Sequence, residues 1–199
     1  MAMLHKKLKS QQSRCLIAFG SNESHCISTS KNTVTESLDA LSRKRLFEIN
    51  ISSFYKTSAF PPGSGPDFVN GVVKAKTDLS AAELLAVLHE LETDMGRERS
   101  RRWEARSLDL DLIDFAGCVA PNQEVHKEWR QMPLEKQMRC APEQMILPHP
   151  RVQDRPFVLV PLHDVAPDWV HPVTGLSVSD MLAEFSESEL AKIRPLEKI

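Results

Sequence analysis

Glycine is scarce in this chain, 7 of 199 residues, and none of it forms a phosphate-binding loop. G-x-x-x-x-G-K-[ST] is absent, which excludes a P-loop kinase, and so is G-x-G-x-x-G. Any phosphate must therefore be held by side chains and metal. The four cysteines (Cys15, Cys26, Cys118, Cys140) show no C-x-x-C pairing and no histidine at metal-finger spacing, so reduced thiols in a cytoplasm are expected. The longest early apolar run, Cys15–Phe19, is too short for a signal h-region or a membrane span, and no membrane partner is expected. A formal net charge of −2 leaves no general basic character, which argues against non-specific nucleic-acid binding. No Ser-His-Asp set can be assigned, and no repeat or low-complexity tract occurs.

What is present suits one soluble domain. A length of 199 residues exceeds the size, about 150 residues, at which a chain buries roughly 70% of its unfolded surface. Residues 1–13, polar and basic, are expected to be a disordered tail. Residues 14–199 are expected to form a single domain, a monomer, with an insertion at about 117–146.

Cys15–Phe19 reads as a buried strand running into Gly20-Ser-Asn22. Thr33 with Glu36 fits a capping box, and Val34, Leu38 and Leu41 continue one helical face. Phe47, Ile49, Ile51 and Tyr55 alternate with polar residues, predicting a strand over about 46–55. A proline-rich loop, Lys56 to Pro66, leads to a strand over about Phe68–Lys76. That strand contains Asn70-Gly71, a hairpin signal whose three-residue flank favours a continuous strand instead. Ser80 with Glu83 caps a helix carrying Leu84, Val87, Leu88, Leu91 and Met95 and stopping at Gly96. Ser107–Phe115 is a fourth strand. Gly117 to Ile146 is polar and broken by Pro121, Pro133 and Pro142; it contributes no motif and reads as an insertion, of which residues 118–145 are expected to be dispensable for chemistry. Phe157–Val160 is a short apolar run, and Val178, Met181, Leu182 and Phe185 mark a C-terminal helix. The order β-α-β-β-α-β predicts an α+β, ferredoxin-like sandwich with an antiparallel central sheet flanked by helices.

The most informative segment is 97–112. Five arginines (Arg97, Arg99, Arg101, Arg102, Arg106) run into Leu108, Leu110 and Leu112 alternating with Asp109 and Asp111. On a strand, residues two apart share a face, so the leucines can enter a core while both carboxylates point away together. Either feature alone is unremarkable: Asp-x-Asp recurs by chance, and arginines after a helix end complement its dipole. Back to back, with Trp103 between, they suit a Mg²⁺-dependent phosphoryl-transfer site. A second segment, Leu147-Pro-His-Pro-Arg151 followed by Asp154-Arg-Pro-Phe157, places His149 in a backbone stiffened by prolines. On its own it is equally a rigid loop between the insertion and a strand.

Taken in order, Ala18-Phe-Gly-Ser-Asn22, Ser52-Ser-Phe-Tyr-Lys-Thr57, Pro66-Asp-Phe-Val-Asn70, Gly96-Arg97, Arg106-Ser-Leu-Asp-Leu-Asp111, Leu147-Pro-His-Pro-Arg151 and Phe157-Val-Leu-Val-Pro161 resemble the 6-hydroxymethyl-7,8-dihydropterin pyrophosphokinases of folate biosynthesis. The resemblance covers roughly residues 14–185 apart from the insertion. It implies transfer of the β,γ-pyrophosphoryl group of ATP to the pterin hydroxymethyl oxygen, with AMP as the other product. By the same resemblance, Asp109 and Asp111 would bind two Mg²⁺ ions, and Arg97 and Arg106 would act on the phosphates in the transition state. Arg99, His149 and Arg155 would hold ATP, with Glu92 and His89 near the nucleotide. Phe68 and Phe157 would sandwich the pterin, and Asn70 and the Thr57–Ala59 backbone would read its edge. Trp103 is expected among the substrate-binding residues, moving with an arginine loop that lies between helix and strand. Where the family usually has Gly-Pro, this chain has Glu104-Ala105. Two other readings stay open on the residues alone: a different Mg²⁺-dependent nucleotidyl- or phosphotransferase, and a non-catalytic ferredoxin-like binding module.

Overall fold

The structure, a computed structural model, describes residues 12–22, 26–59, 65–95, 108–137 and 140–197. Arg97, Arg99, Trp103, Arg106, Gly96, the Glu104-Ala105 pair and the first eleven residues lie outside them. Strands β1 (Ser13–Ser21), β2 (Leu46–Ile51), β3 (Tyr55–Thr57), β4 (Phe68–Thr77), β5 (Asp109–Phe115) and β6 (Arg194–Pro195) form one sheet. Its order is β5-β1-β4-β3-β6, with β2 also paired to β4, and every pairing is antiparallel. Helices α1 (Ile27–Ser42) and α2 (Ala81–Asp94) complete a β-α-β-β-β-α-β core, one strand more between the helices than expected, and the α+β architecture is the expected one. Short helices α3 (Gln123–Gln131) and α4 (Leu134–Gln137) follow β5, and α5 (Pro156–Val165), α6 (Val178–Ala183) and α7 (Glu187–Leu190) close the chain.

β1 is buried on both faces, and this is why its sequence is continuously apolar. Cys15, Ile17 and Phe19 enter one core with Val34, Leu38, Leu84 and Leu88 of α1 and α2. Leu16 and Ala18 enter a second core with Val158, Leu159, Leu162 and Met181 of α5 and α6. β4 and β5 divide in the same way: Val69, Val73, Leu110 and Leu112 face the first core, and Val72 and Ile113 the second. A bulge opposite the Leu16/Ile17 step lets both Leu112 and Phe115 face the first core.

Several elements differ from expectation. α1 begins one turn and more before Thr33, at Ile27; Thr33 sits inside it and its hydroxyl donates to Thr29 O (3.1 Å). Ser30 is wholly buried and continues the Val34–Leu38–Leu41 stripe towards the N-terminus, a contribution that a small polar residue conceals in sequence. The strand predicted over 46–55 is two strands. The register shifts between Phe47 and Asn50, with Glu48 at positive φ, and Ser52 leaves the ladder to exchange bonds with Val72 through its hydroxyl as well as its backbone. Phe47 and Ile51 are consequently exposed. Phe157–Val160 lies in a helix, because Pro156 starts it at a position that needs no N–H and Val158, Leu159, Leu162 and Val165 share a buried face. β4, by contrast, runs straight through Asn70-Gly71. The Ser80–Glu83 capping box is also present, with Ser80 N donating to Glu83 Oε2 (2.8 Å) and Glu83 N to Ser80 Oγ (3.3 Å).

Candidate active site

The register of three strands assembles the site. Gly20 of β1 pairs with Asn70 of β4 on one side and Asp109 of β5 on the other. Asn70 and Asp109 are thus two strands apart in one row, roughly 10 Å between backbones at the usual strand spacing. Residues 68, 70 and 72 of β4 share a face with 109, 111 and 113 of β5, because Val72 and Ile113 both lie in the second core. Gly20 leaves room for this row: a Cβ there would stand 2.8 Å from Asn70 Oδ1 and 4.0 Å from the Phe68 ring. Asn70 is buried, and its amide donates to Thr57 Oγ1 (2.7 Å) on β3. Ala59 is buried nearby in sequence, and Phe68 is half-buried.

The second core brings α5 to the same face. Arg155, its N-cap residue, donates from Nη1 to Asp111 Oδ2 at 2.6 Å. His149 is drawn to β5 by its backbone, whose N–H donates to Ile113 O (2.8 Å), and its Nε2 lies 4.0 Å from Asp111 Oδ2. Burial, then the Arg155 guanidinium, pushes the His149 imidazole down from 6.5 to about 4, against the pull of Asp111. The neutral ring accepts from Arg151 N at Nδ1 (3.1 Å), so its proton sits on Nε2, the nitrogen nearer Asp111. Phe157, two residues beyond Arg155, is 37% exposed, unusual for an aromatic at the start of a core helix.

Beside β5, which is the sheet's edge, lies a cleft of about 540 Å³, within the usual range for a small-molecule site. Asp111, His149, Arg151 and Arg155 line it, and so does His89 of α2.

The sequence profile of the 7,8-dihydro-6-hydroxymethylpterin-pyrophosphokinase (HPPK) family matches residues 16–167. The chain belongs to this family. Its members are ATP-dependent diphosphotransferases. A 2-amino-4-hydroxy-6-hydroxymethyldihydropteridine pyrophosphokinase of Haemophilus influenzae is 31% identical over 180 residues, 90% of this chain and 97% of that protein. A protein of the same name from Synechocystis sp. is 35% identical over 144 residues, 72% of this chain and 63% of that protein. Among solved structures, an HPPK-DHPS in complex with substrates superposes with a TM-score of 0.61 at 16% identity, over 92% of this chain and 45% of that one. A Plasmodium falciparum HPPK-DHPS with pterin and p-hydroxybenzoate gives 0.61 at 14% identity, over 89% and 44%. The chain thus spans less than half the length of these structural neighbours, and they speak to the fold alone.

Most of the site residues that the HPPK resemblance implied converge: Asp109, Asp111, Asn70, Thr57 and Phe68 on one end of the sheet, His149 and Arg155 against Asp111, and Phe157 at the start of α5. Glu92 does not join the cleft lining. It is buried on α2, and its Oε1 accepts from Leu110 N (2.9 Å), the residue between the two aspartates. Its described contact supports the strand that carries Asp109 and Asp111. The 117–146 segment also differs from expectation. Asn122 caps α3, and Ala120 and Leu147 exchange both backbone bonds (2.9 and 3.0 Å). Trp129, Pro142 and Met145 from this segment lie on the cleft wall. Sequence reasoning missed Gly20 as well, although its position two residues before Asn22 in the first matched segment was visible; what it makes room for depends on strand register.

Proposed function

We propose that this chain transfers the β,γ-pyrophosphoryl group of ATP to the hydroxymethyl oxygen of 6-hydroxymethyl-7,8-dihydropterin, releasing AMP, as a monomer in the cytoplasm. The observation that carries the reading is the convergence of two carboxylates, an arginine, a neutral histidine and an amide–hydroxyl pair at one end of one sheet face. In the transfer, a bond forms between the pterin oxygen and the β-phosphorus while the bond from that phosphorus to the α,β-bridging oxygen breaks. The hydroxymethyl proton is released.

Asp109 and Asp111 fit Mg²⁺. Among the described residues no group of three or more His, Cys, Asp or Glu could hold a metal, and two hard oxygen donors with phosphate and water completing the shell is how Mg²⁺ is usually bound. Two such ions, held by this pair, would offset charge on the polyphosphate. Arg155, already on Asp111, orients that carboxylate and presents its remaining N–H groups to phosphate. His149 serves as a neutral Nε2–H donor and leaves the charge balance to the arginines. Asn70, held by Thr57, reads the polar edge of the pterin, with Phe68 and Phe157 for its ring faces. Arg97 and Arg106 act on charge that develops during transfer, Arg99 assists nucleotide binding, and Trp103 contributes to substrate binding.

The test is the nucleotide product from ATP and the pterin, resolved by chromatography. AMP formed one-for-one with pterin diphosphate is expected. ADP would make the chain an ordinary kinase, and product without pterin dependence would remove the assignment. Asp111→Ala is expected to lower turnover by orders of magnitude with the fold retained. Sedimentation velocity checks the monomer.

A further inference from the structure

The cleft beside β5 has one wall that neither the aspartates nor the P-H-P-R segment supplies. Trp129 of α3 lines it together with Leu85, Met145 and Ile146, and is the one large aromatic ring among its described lining residues. Trp129 is half-buried. Three residues earlier on the same helix, His126 is wholly buried, bonds Pro148 O through Nε2 (3.0 Å) and packs edge-on against His171 (5.7 Å between centroids). Pro148 precedes His149, so this contact ties α3, the helix that carries Trp129, to the segment that carries His149. The paired backbone bonds of Ala120 and Leu147 close the base of the segment. A cleft that held polyphosphate alone would need cations and amides. A pre-positioned indole beside aliphatic side chains suits a flat heterocycle.

We propose that Trp129 supplies the face on which the nucleotide base rests, so that the 117–146 segment anchors the base while Asp111, His149 and Arg155 hold the phosphates. This rests on the cleft's being the nucleotide site. The test compares a non-hydrolysable, Mg²⁺-loaded ATP analogue with Mg²⁺-tripolyphosphate, which has no base, by calorimetry on the full chain. Trp129→Ala is expected to weaken the analogue about tenfold, within the range measured for base–aromatic stacking, and to leave tripolyphosphate within about twofold. Trp129→Phe is expected to restore the analogue to within about threefold, since it returns a stacking face. Trp129→Leu keeps an apolar side chain and replaces the alanine variant if circular dichroism shows that variant to be unfolded. Equal loss of both ligands would reduce Trp129 to a wall support and overturn the proposal, as would unchanged analogue affinity. Wild-type protein that binds the analogue but makes no AMP would defeat the transfer reading while the Trp129 comparison still stood. Wild-type protein that does not bind the analogue would overturn both.

Discussion

Gly20 and Gly71 lie on neighbouring strands, and a methyl group at each would meet very different surroundings. At Gly71 an added Cβ would collide with Cζ of Phe19, a core ring that is 2% exposed and packed edge-on against Phe54. The same ring explains why Asn70-Gly71 is strand and not turn: the glycine is there to let a phenylalanine cross over it. Gly71→Ala is therefore expected to cost about 1–3 kcal/mol through overpacking, read as a fall in the urea midpoint. At Gly20 the added carbon would meet Asn70 Oδ1 at 2.8 Å, the end of a side chain that can turn away. Turning breaks the Asn70–Thr57 hydrogen bond and moves the amide away from the position at which we propose it reads the pterin edge. Gly20→Ala is expected to change stability by less than about 1 kcal/mol, and to raise the pterin KM about tenfold, the equivalent of one good hydrogen bond. If the two variants lost stability equally, Gly20 would be a packing residue with no part in positioning Asn70.

At the scale of elements, legibility followed how local each signal is. Asp109 and Asp111 could be placed because a period of two needs only its own strand, and α2 could be placed because Ser80 and Glu83 close their box within one turn. α1 was misplaced because Cys26, and not a Ser, Thr, Asp or Asn, stands at its N-cap. The 46–55 alternation failed at a bulge that depends on β4. α3 has a local cap in Asn122, but His126, which ties the helix to Pro148, meets a partner 22 residues away. Glu92 shows the same limit: its helix was legible, and its bond to Leu110 was not. That bond makes a prediction. Glu92→Ala leaves Leu110 N without this acceptor in the core and is expected to cost about 1–3 kcal/mol. Because Leu110 sits between the two aspartates, turnover is expected to fall more than that stability loss alone would bring at saturating ligand. Glu92→Gln, which keeps a carbonyl oxygen, is expected to recover most of both. Turnover unaffected in a folded Glu92→Ala protein would separate α2 from the alignment of β5.

For the whole molecule, the two buried histidines that join α3 to the C-terminal segment contribute, as His149 does, to how the protein meets acid. His126 and His171 are both fully buried, and His126 Nδ1 and His171 Nε2 have no hydrogen-bond partner among the described residues. Burial pushes His171 down from 6.5 to about 4, with His126 and Arg130 adding to the shift, and burial lowers His126 as well. The sign follows from which state takes the proton first. The unfolded chain protonates near 6.5 and the folded one only near 4, so falling pH favours the unfolded state across that window. The stabilisation is complete above about pH 6.5 and is lost progressively towards pH 4; by pH 5 His171 alone accounts for about 2 kcal/mol. Its Nδ1 accepts from Val173 N (3.1 Å) and Thr174 N (3.3 Å), a local turn that an asparagine oxygen can also accept. His171→Asn is therefore the informative variant, because it keeps the turn and removes the titration. Urea midpoints at pH 7.5 and pH 5 should converge in the variant by about 2 kcal/mol relative to wild type, whatever the carboxylates contribute to both. An equal acid loss in the two proteins would show that His171 takes up its proton as readily in the folded as in the unfolded state and has no part in the acid response.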